Sequence, residues 1–544
     1  MRAAAICSFL VCLSIGGETI RAGEQAFDVV VYGATPGGIT AAVAAARQRA
    51  SVVLIEPSRH IGGMVSGGLS ATDYGNSAYI GGLALEFFDR AAAKYRNHPA
   101  ALTSLGKSAR WFSEPHVAEQ TFLEMVKRPG IKLVMEQCLK SVTCRKHRIV
   151  TLRTADGTFY RGRVFIDASY EGDLMARAGV KYAVGRESRD TYGESLAGFC
   201  SPKLRPRTVA FMATKGSSYV HGTPTRLMAR GPDGALLWGI KDIAWPEPGA
   251  GDKLVQSYNF RVIATQRKDI LIPFPKPKHY DPARYELLLE MVRAFPGVRF
   301  ERLVFTGPIP NGKYDVNASG LIVSTDHPGF NTEYPDGDEA TRRRIWQDHV
   351  DWVQGIFYFL GHDRRVPQEL REQVSLWGLC KDEFADNEHW PYAIYVREAR
   401  RMIGAYVMRQ ADCEKNTAKP DSVAMGTFIL DCHCIQRLVT PEGLAIDEGN
   451  YDMPVRPYQI AYRSITPVAA ECENLLVPVC LSASHVAYGS IRMEPQYMML
   501  GHAAGVAAVM AIEQKAAVQQ IDLPSLQRAL RRQKQILTDA DRRK

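Results

Sequence analysis

Two kinds of apolar pattern alternate along the N-terminal part of the chain. Phe27–Tyr32 and Ser51–Ile55 are short, nearly unbroken apolar runs, which predict parallel strands buried on both faces. Between them, Gly37–Gln48 is rich in alanine and predicts a helix. Strand, turn, helix and strand therefore follow within about 30 residues, the size of a βαβ unit. Helical periodicity recurs at Leu83–Tyr95 and at Pro115–Lys127, the latter with Ser113 as its candidate cap. From Ile131 to Ile166, short alternating runs broken by Asp156-Gly157 predict a β-meander.

The pattern changes between Arg186 and Pro454. Prolines cluster (Pro273, Pro275, Pro277, Pro282), aromatic residues are frequent, and helices are predicted at Glu339–Leu360 and around Arg397–Arg409. Apolar strands and a small-residue helix, Gly501–Ala511, return after Tyr458. The expected fold class is α/β: a Rossmann-like nucleotide-binding domain, parallel sheet plus β-meander, with an inserted α+β cap or substrate domain. Its first part spans 26–185, the insert 186–454 and the returning part 455–515, leaving a basic helical tail at 516–544.

The turn after the first strand reads Gly33-Ala34-Thr35-Pro36-Gly37-Gly38. Gly33 allows a tight turn and Gly38 a close helix–sheet approach, so a pyrophosphate can rest on free N–H groups at the helix start. Thr35 stands where this fingerprint has its second glycine. Glu56 ends the second strand, placed to accept hydrogen bonds from an adenosine ribose and to repel a 2′-phosphate, which argues against NADP. Arg59-His60-Ile61-Gly62-Gly63-Met64 follows; its glycine doublet lets backbone run against a flavin or its diphosphate, favouring FAD over NAD. Asp167, Ala168 and Ser169 end an apolar strand suited to a second crossing beneath the dinucleotide. Near the C-terminus, a strand from Asn474 enters a polar loop with Ser482, Ser484, His485, Tyr488 and Ser490; Arg492, Glu494 and Gln496 then surround Pro495, which predicts a helix start whose positive end faces a flavin edge.

Composition narrows the class. Of 544 residues, 46% are hydrophobic and 23% charged, an ordinary globular balance. The net charge of +9 is spread thinly; its densest patch is the tail from Arg528 to Lys544, read as a solvated, fraying helix because no aromatic residues interleave for nucleic-acid stacking. Arg2, the apolar stretch Ala3–Ile15 and a small polar run predict a secretory signal peptide over residues 1–22, with cleavage near Ala22 despite the ill-fitting Ile20. A periplasmic or secreted protein is expected, without stable membrane insertion. The cysteines form no iron–sulfur spacing and no paired framework, and Cys432-His433-Cys434 lacks a second ligand pair, so no metal site is expected.

The stretches VVVYGATPGGITAAVAAA, EPSRHIGGMVSGGLSATD, FIDASYEGDL, YNFR, YVREARR, DCHCIQR, YRSI and SASHVAYGSIRMEPQYMMLGHAAG resemble the FAD-dependent oxidoreductase family, whose flavin domain is similar to that of glutathione reductase. Heterodisulfide reductase is a more distant relative, but the iron–sulfur ligands found there are missing here. The resemblance implies FAD as cofactor, a small-molecule substrate and an electron acceptor it does not identify. Hydride transfer to flavin needs a proton acceptor and donors that fix the substrate. His485 is the first candidate acceptor and His433 the alternative. Arg397, Arg400 and Arg401 are spaced to share a helix face and clamp a carboxylate or polyhydroxylated substrate, with a structural ion-pair set involving Glu398 as the competing role. Two rival functions stand beside this: an NAD-linked Rossmann dehydrogenase, and a non-catalytic secreted binding module with a degenerate fold, which Thr35 would support.

Overall fold

β1 (Glu24–Tyr32) runs parallel to β2 (Val52–Ile55), Val29 opposite Val52 and Tyr32 opposite Ile55. On its other side it is parallel to β6 (Phe159–Asp167), Val29 opposite Val164. The computed structural model describes residues 24–95, 109–202 and 222–542, so the expected leader and the terminal Arg543 and Lys544 lie outside the described residues. β3 (Ile131–Val134) extends the parallel edge beyond β2, while β4 (Leu139–Arg145) and β5 (Arg148–Thr154) form an antiparallel meander with β6. The sheet order is therefore β3-β2-β1-β6-β5-β4.

One edge of β6 is divided. Its first residues pair with β5, and Phe165 and Ile166 pair in parallel with Leu475 and Leu476 of a short strand, β12, from the far end of the sequence. Val29, Val31, Leu54 and Ile166 face one core and Val30, Tyr32, Val53 and Phe165 another. A strand covered on both sides gains about 1.5–3 kcal/mol at each large apolar position, so its sequence shows no polar alternation.

On the first face, α1 (Pro36–Arg47) lies against α7 (Glu494–Gln514) with backbones in contact. A Cβ added at Gly501 would stand 2.0 Å from the Gly37 carbonyl oxygen, and one at Gly505 2.2 Å from that of Ala41. The Thr40 hydroxyl donates to the Met498 carbonyl at 2.8 Å. α2 (Gly63–Ser66), α3 (Gly82–Ala93) and α4 (Pro115–Val126) surround this pair. The N-cap of α4 is Glu114 rather than Ser113, and its side chain does not cap.

The central block builds a second, antiparallel sheet. Its order is β8 (Leu271–Pro273), β11 (Gly378–Cys380), β7 (Val262–Thr265), β10 (Lys313–Ala318) and β9 (Val304–Ile309). α5 (Glu339–His362) shares its core, with Ile345, Trp352 and Phe357 buried beside Val262, Ala264 and Val316.

Three expectations need correction. Arg397–Arg409 is not a helix: the chain there is extended, Arg401–Met402 pairs with Tyr182–Ala183, and a helix begins only at Gln410. Ile394, Tyr395, Val396 and Ile403, β-branched or aromatic, favour extended backbone over the helix that the arginine spacing implied. The polar loop expected after Leu481 contains α6 (His485–Ile491), capped by Ser484, whose hydroxyl accepts from the Ala487 N–H. The basic tail is docked rather than solvated: Leu526, Leu530 and Leu537 are fully buried, and the Gln535 amide donates to the Met499 and Val423 carbonyls.

Candidate functional site

The Gly33 turn joins β1 to α1 at the centre of the parallel sheet. Gly33 has φ +94° and passes so close to β6 that a Cβ would stand 2.7 Å from the Ser169 nitrogen; one at Gly38 would stand 1.9 Å from the Gly33 oxygen. Thr35 caps α1, its hydroxyl accepting from the Gly38 N–H at 3.2 Å and donating to the Ala168 carbonyl at 2.8 Å. Pro36 takes the first helical position, where its missing N–H costs nothing. The residue that breaks the glycine pattern thus fixes the helix start, with its side chain turned toward β6.

A cavity of about 830 Å³ opens above this helix start, lined among others by Gly33, Thr35, Glu56, His60, Gly63 and Ser169. Glu56 accepts from the Ala34 N–H at 2.8 Å and from Ser58, and burial pushes its carboxyl above the usual range. His60 stacks on Tyr392 with 3.3 Å between ring centroids, and its Nδ1 meets Glu119 at 3.0 Å. Gly62 and Gly63 both have positive φ; side chains there would strike Phe122 and the Tyr170 hydroxyl. Arg59 is exposed and does not line the cavity. Asp167 is fully buried with its oxygens taken by Ser169 and the Met175 N–H, so it braces the turn; burial raises its carboxyl to about 6.

The doublet leads to α7. The Met64 N–H donates to the Tyr170 hydroxyl at 3.0 Å, which donates to Glu494 at 2.6 Å. Burial lifts the Glu494 carboxyl to about 8 although this hydrogen bond pulls it down. The second Glu494 oxygen and both amide atoms of Gln496 are buried without a partner. These orphaned groups lie behind Tyr170, which lines the cavity.

Tyr395 packs with Met64, Leu69 and Tyr170 and connects this end of the cavity to a buried charged cluster. The Arg397, Arg261 and Arg492 guanidinium carbons lie 4.7, 5.8 and 6.0 Å from the centre of its ring. Arg261 binds Asp315 bidentately at 2.8 and 2.9 Å; Arg492 binds Asp431 at 2.6 Å and donates to the Tyr395 hydroxyl at 3.1 Å. Arg397 pairs with Asp326 at 2.9 Å, and Nδ1 of His433 meets the other Asp326 oxygen at 2.7 Å. Burial would push Asp326 up, but Arg397 and His433 outweigh it and hold the carboxyl at about 2.

The three arginines read as one clamp therefore separate. Arg397 joins the Tyr395 cluster. Arg400 lines the cavity and binds Asp173 at 2.7 Å. Arg401 is consumed by Glu187, Glu398 and two carbonyls. His485 belongs with Arg401: Nδ1 meets Glu398 at 2.9 Å and Nε2 meets the Cys432 thiol at 3.4 Å, in a fully packed setting. The described cysteines form no disulfide. One triad of potential metal ligands, Glu114, His116 and Glu383, has Lys313 Nζ 2.7 and 2.6 Å from its carboxylates, so an internal cation balances it. Tyr170, Tyr395, Asp73 and Asp326 drew no role from the sequence; Tyr170, Tyr395 and Asp73 lie in the stretches that carry the resemblance but gain meaning only from contacts.

A glycine turn, a capped helix start, an acidic end to the second strand and a returning C-terminal strand and helix define a dinucleotide-binding oxidoreductase fold. Residues 28–530 match the sequence model of the family described as FAD dependent oxidoreductase, and the chain belongs to that family. The family is FAD-dependent, which counts against the NAD-linked and non-catalytic alternatives. No curated protein matches the chain. Solved structures that match part of the chain include a flavoprotein/dehydrogenase from Cytophaga hutchinsonii, at 17% identity over 30% of this chain and 44% of that one, with a TM-score of 0.22. The p-nitrophenol 4-monooxygenase of Pseudomonas putida DLL-E4 matches at 15% over 30% and 45%, TM-score 0.21. The anhydrotetracycline hydroxylase of Streptomyces rimosus matches at 14% over 30% and 36%, TM-score 0.23. These matches span less than half of the structures concerned.

Proposed function

We propose that the protein oxidises a small organic substrate by hydride transfer to FAD, with the substrate held between the central block and the flavin-binding part. The observation that carries this reading is the continuity from the Gly33 turn, through Tyr170 and Glu494, to the Tyr395 cluster. The α1 N-terminus and Ser169 would hold the pyrophosphate, Glu56 would take the ribose hydroxyls once it releases Ala34, and Gly62-Gly63-Met64 would run along the cofactor. Glu494 and Gln496, with orphaned polar atoms at the start of α7, would meet the flavin's polar edge. The cofactor supplies a two-electron acceptor. This chain's residues orient the substrate, exclude water and take up its proton. His433 stays a proton-transfer candidate because it borders the cluster, whereas the packing around His485 favours a structural role.

Export to the periplasm or outside is part of the proposal and rests on the leader pattern; N-terminal sequencing of mature protein would check it. No described helix is long and apolar enough to cross a membrane. The purified protein is expected to be yellow and to release FAD on denaturation. Anaerobic addition of substrate should bleach the flavin band, and reoxidation with oxygen, a quinone or a cytochrome would identify the acceptor. A flavin bleached by NADH but by no organic substrate would overturn the reading.

A further inference from the structure

We propose that Asp73 is the proton acceptor in this reaction and that the substrate is a neutral, polyhydroxylated molecule bound by Arg261, Arg397 and Arg492 around Tyr395. The inference rests on the oxidation reading above. Asp73 is partly buried at the end of the stretch that follows Gly62-Gly63. Two residues before it, the Ala71 N–H donates to Asp315 at 2.8 Å and the Ala71 carbonyl accepts from Arg261 at 3.2 Å, which fixes this stretch at the cluster and puts Asp73 in the field of Arg261, Arg492, His433, Asp431 and Tyr395. The other three carboxylates of the cluster are engaged: Asp315 by Arg261, Asp326 by Arg397 and His433, Asp431 by Arg492. Among the described residues, no hydrogen bond or ion pair holds the Asp73 carboxylate. A carboxylate left open amid paired neighbours is available to accept a proton. Burial, reinforced by Asp431, raises its carboxyl above the ordinary aspartate value, against the opposing pull of Arg261, Arg492 and His433.

The charges also select the substrate. Three guanidinium groups face four carboxylates, so the cluster has no surplus positive charge for an incoming anion. Burying a further carboxylate without a free cation is strongly unfavourable. The arginines nonetheless keep unused donors: Nη1 of Arg261, Nε and Nη2 of Arg397 and Nε of Arg492 are buried without acceptors. Neutral hydroxyl oxygens satisfy such donors without bringing charge. In the step itself, a substrate C–H bond breaks and its electron pair leaves as hydride to the oxidised flavin. The adjacent O–H bond breaks, its proton passes to the Asp73 carboxylate, and the C–O bond becomes a carbonyl. The substrate loses two electrons and the flavin gains two.

The test uses the holoenzyme and Asp73→Asn. The probes are D-glucose, D-galactose, D-xylose, D-sorbitol and myo-inositol, against D-gluconate, D-galacturonate and L-lactate. Perturbation of the oxidised flavin spectrum reads binding, anaerobic bleaching reads the reaction, and a melt confirms folding. A neutral probe should bind wild type and variant within about threefold, while bleaching slows at least a hundredfold in the variant. The wild-type bleaching rate should fall as acid pH protonates Asp73, and the variant should lose that acid limb. Equal bleaching rates, or an acid limb retained in the variant, overturn the role of Asp73. Acids that bind or bleach more tightly than every neutral probe overturn the substrate class, as does bleaching by none of the hydroxyl compounds. Bleaching by NADH alone instead overturns the oxidation reading beneath both.

Discussion

His502 shows how far a single side chain's protonation can be read from its neighbours. Its Nδ1 faces the Leu83 N–H at 3.3 Å and its Nε2 faces the Gln533 carbonyl oxygen at 2.8 Å. A backbone N–H only donates, so Nδ1 must accept and the proton resides on Nε2. Burial lowers the imidazole to about 4, beyond what the hydrogen bond it donates to the Gln533 side-chain oxygen restores. Between that value and the ordinary histidine range, the unfolded chain binds a proton that the folded one refuses. Stability therefore falls as pH drops from about 6.5 to 4, by about 1.4 kcal/mol per unit at most. His502→Gln removes this group, so urea titrations at pH 7, 6, 5 and 4 should show a shallower acid decline than wild type. Parallel declines would show that other groups set the acid sensitivity.

Among the elements, the α1–α7 contact is the most demanding. Gly501 and Gly505 let α7 touch the carbonyls of Gly37 and Ala41, the same helix whose start forms the nucleotide turn. Gly505→Leu would need the helices to part by more than an ångström, at a cost above the usual 1–3 kcal/mol of overpacking because backbone, not a movable side chain, is struck. Loss of bound FAD together with a melting temperature lowered by several degrees is the expected outcome; an unchanged melt with normal flavin content would refute the contact.

At this scale the sequence was legible where one local pattern fixed the element. β1, α1, β2 and the meander follow from apolar runs, a proline at the helix start and a glycine turn. The arginines at 397, 400 and 401 were not, because their spacing gathers them on a helix face but splits them across an extended chain, and only Ile394, Tyr395, Val396 and Ile403 argue for the latter. α6 was missed although Ser484 is a serviceable N-cap, since its seven residues read as a polar loop. The site was half legible. Backbone requirements at Gly33, Gly62 and Gly63 leave glycine in the sequence, whereas the Tyr395 cluster draws on segments near residues 73, 261, 326, 397, 431 and 492, and no local pattern announces that meeting.

For the whole molecule, the two sheets are tied across the mouth of the cavity. Asp173, six residues beyond the end of β6, receives Arg342 of α5 at 2.6 and 3.0 Å and Arg400 at 2.7 Å. Arg400 also holds Asp336, and the Tyr334 hydroxyl donates to Glu171 at 3.2 Å. Burial favours the neutral acid, but the two arginines outweigh it and keep Asp173 ionised. The bridge is partly solvated, so salt should weaken it. Wild-type FAD release, followed by fluorescence after dilution, should accelerate with added NaCl, and Asp173→Asn should release about tenfold faster with little salt response. Release that is salt-independent in wild type would show that the bridge does not retain the cofactor.

The divided edge of β6 sets an order of assembly. Its outer half accepts Leu475 and Leu476, and α1 meets a helix whose bonded partner, Met498, lies 458 residues beyond Thr40. At about 5–20 residues per second, a ribosome needs roughly 20–90 s to make that length. Throughout that interval the nascent βαβ unit has one flank of its sheet and one face of its first helix bare, apolar and available to the wrong neighbour. The parallel sheet and its first helix are thus begun at one end of translation and closed at the other, and the cell must shield the unfinished half in between.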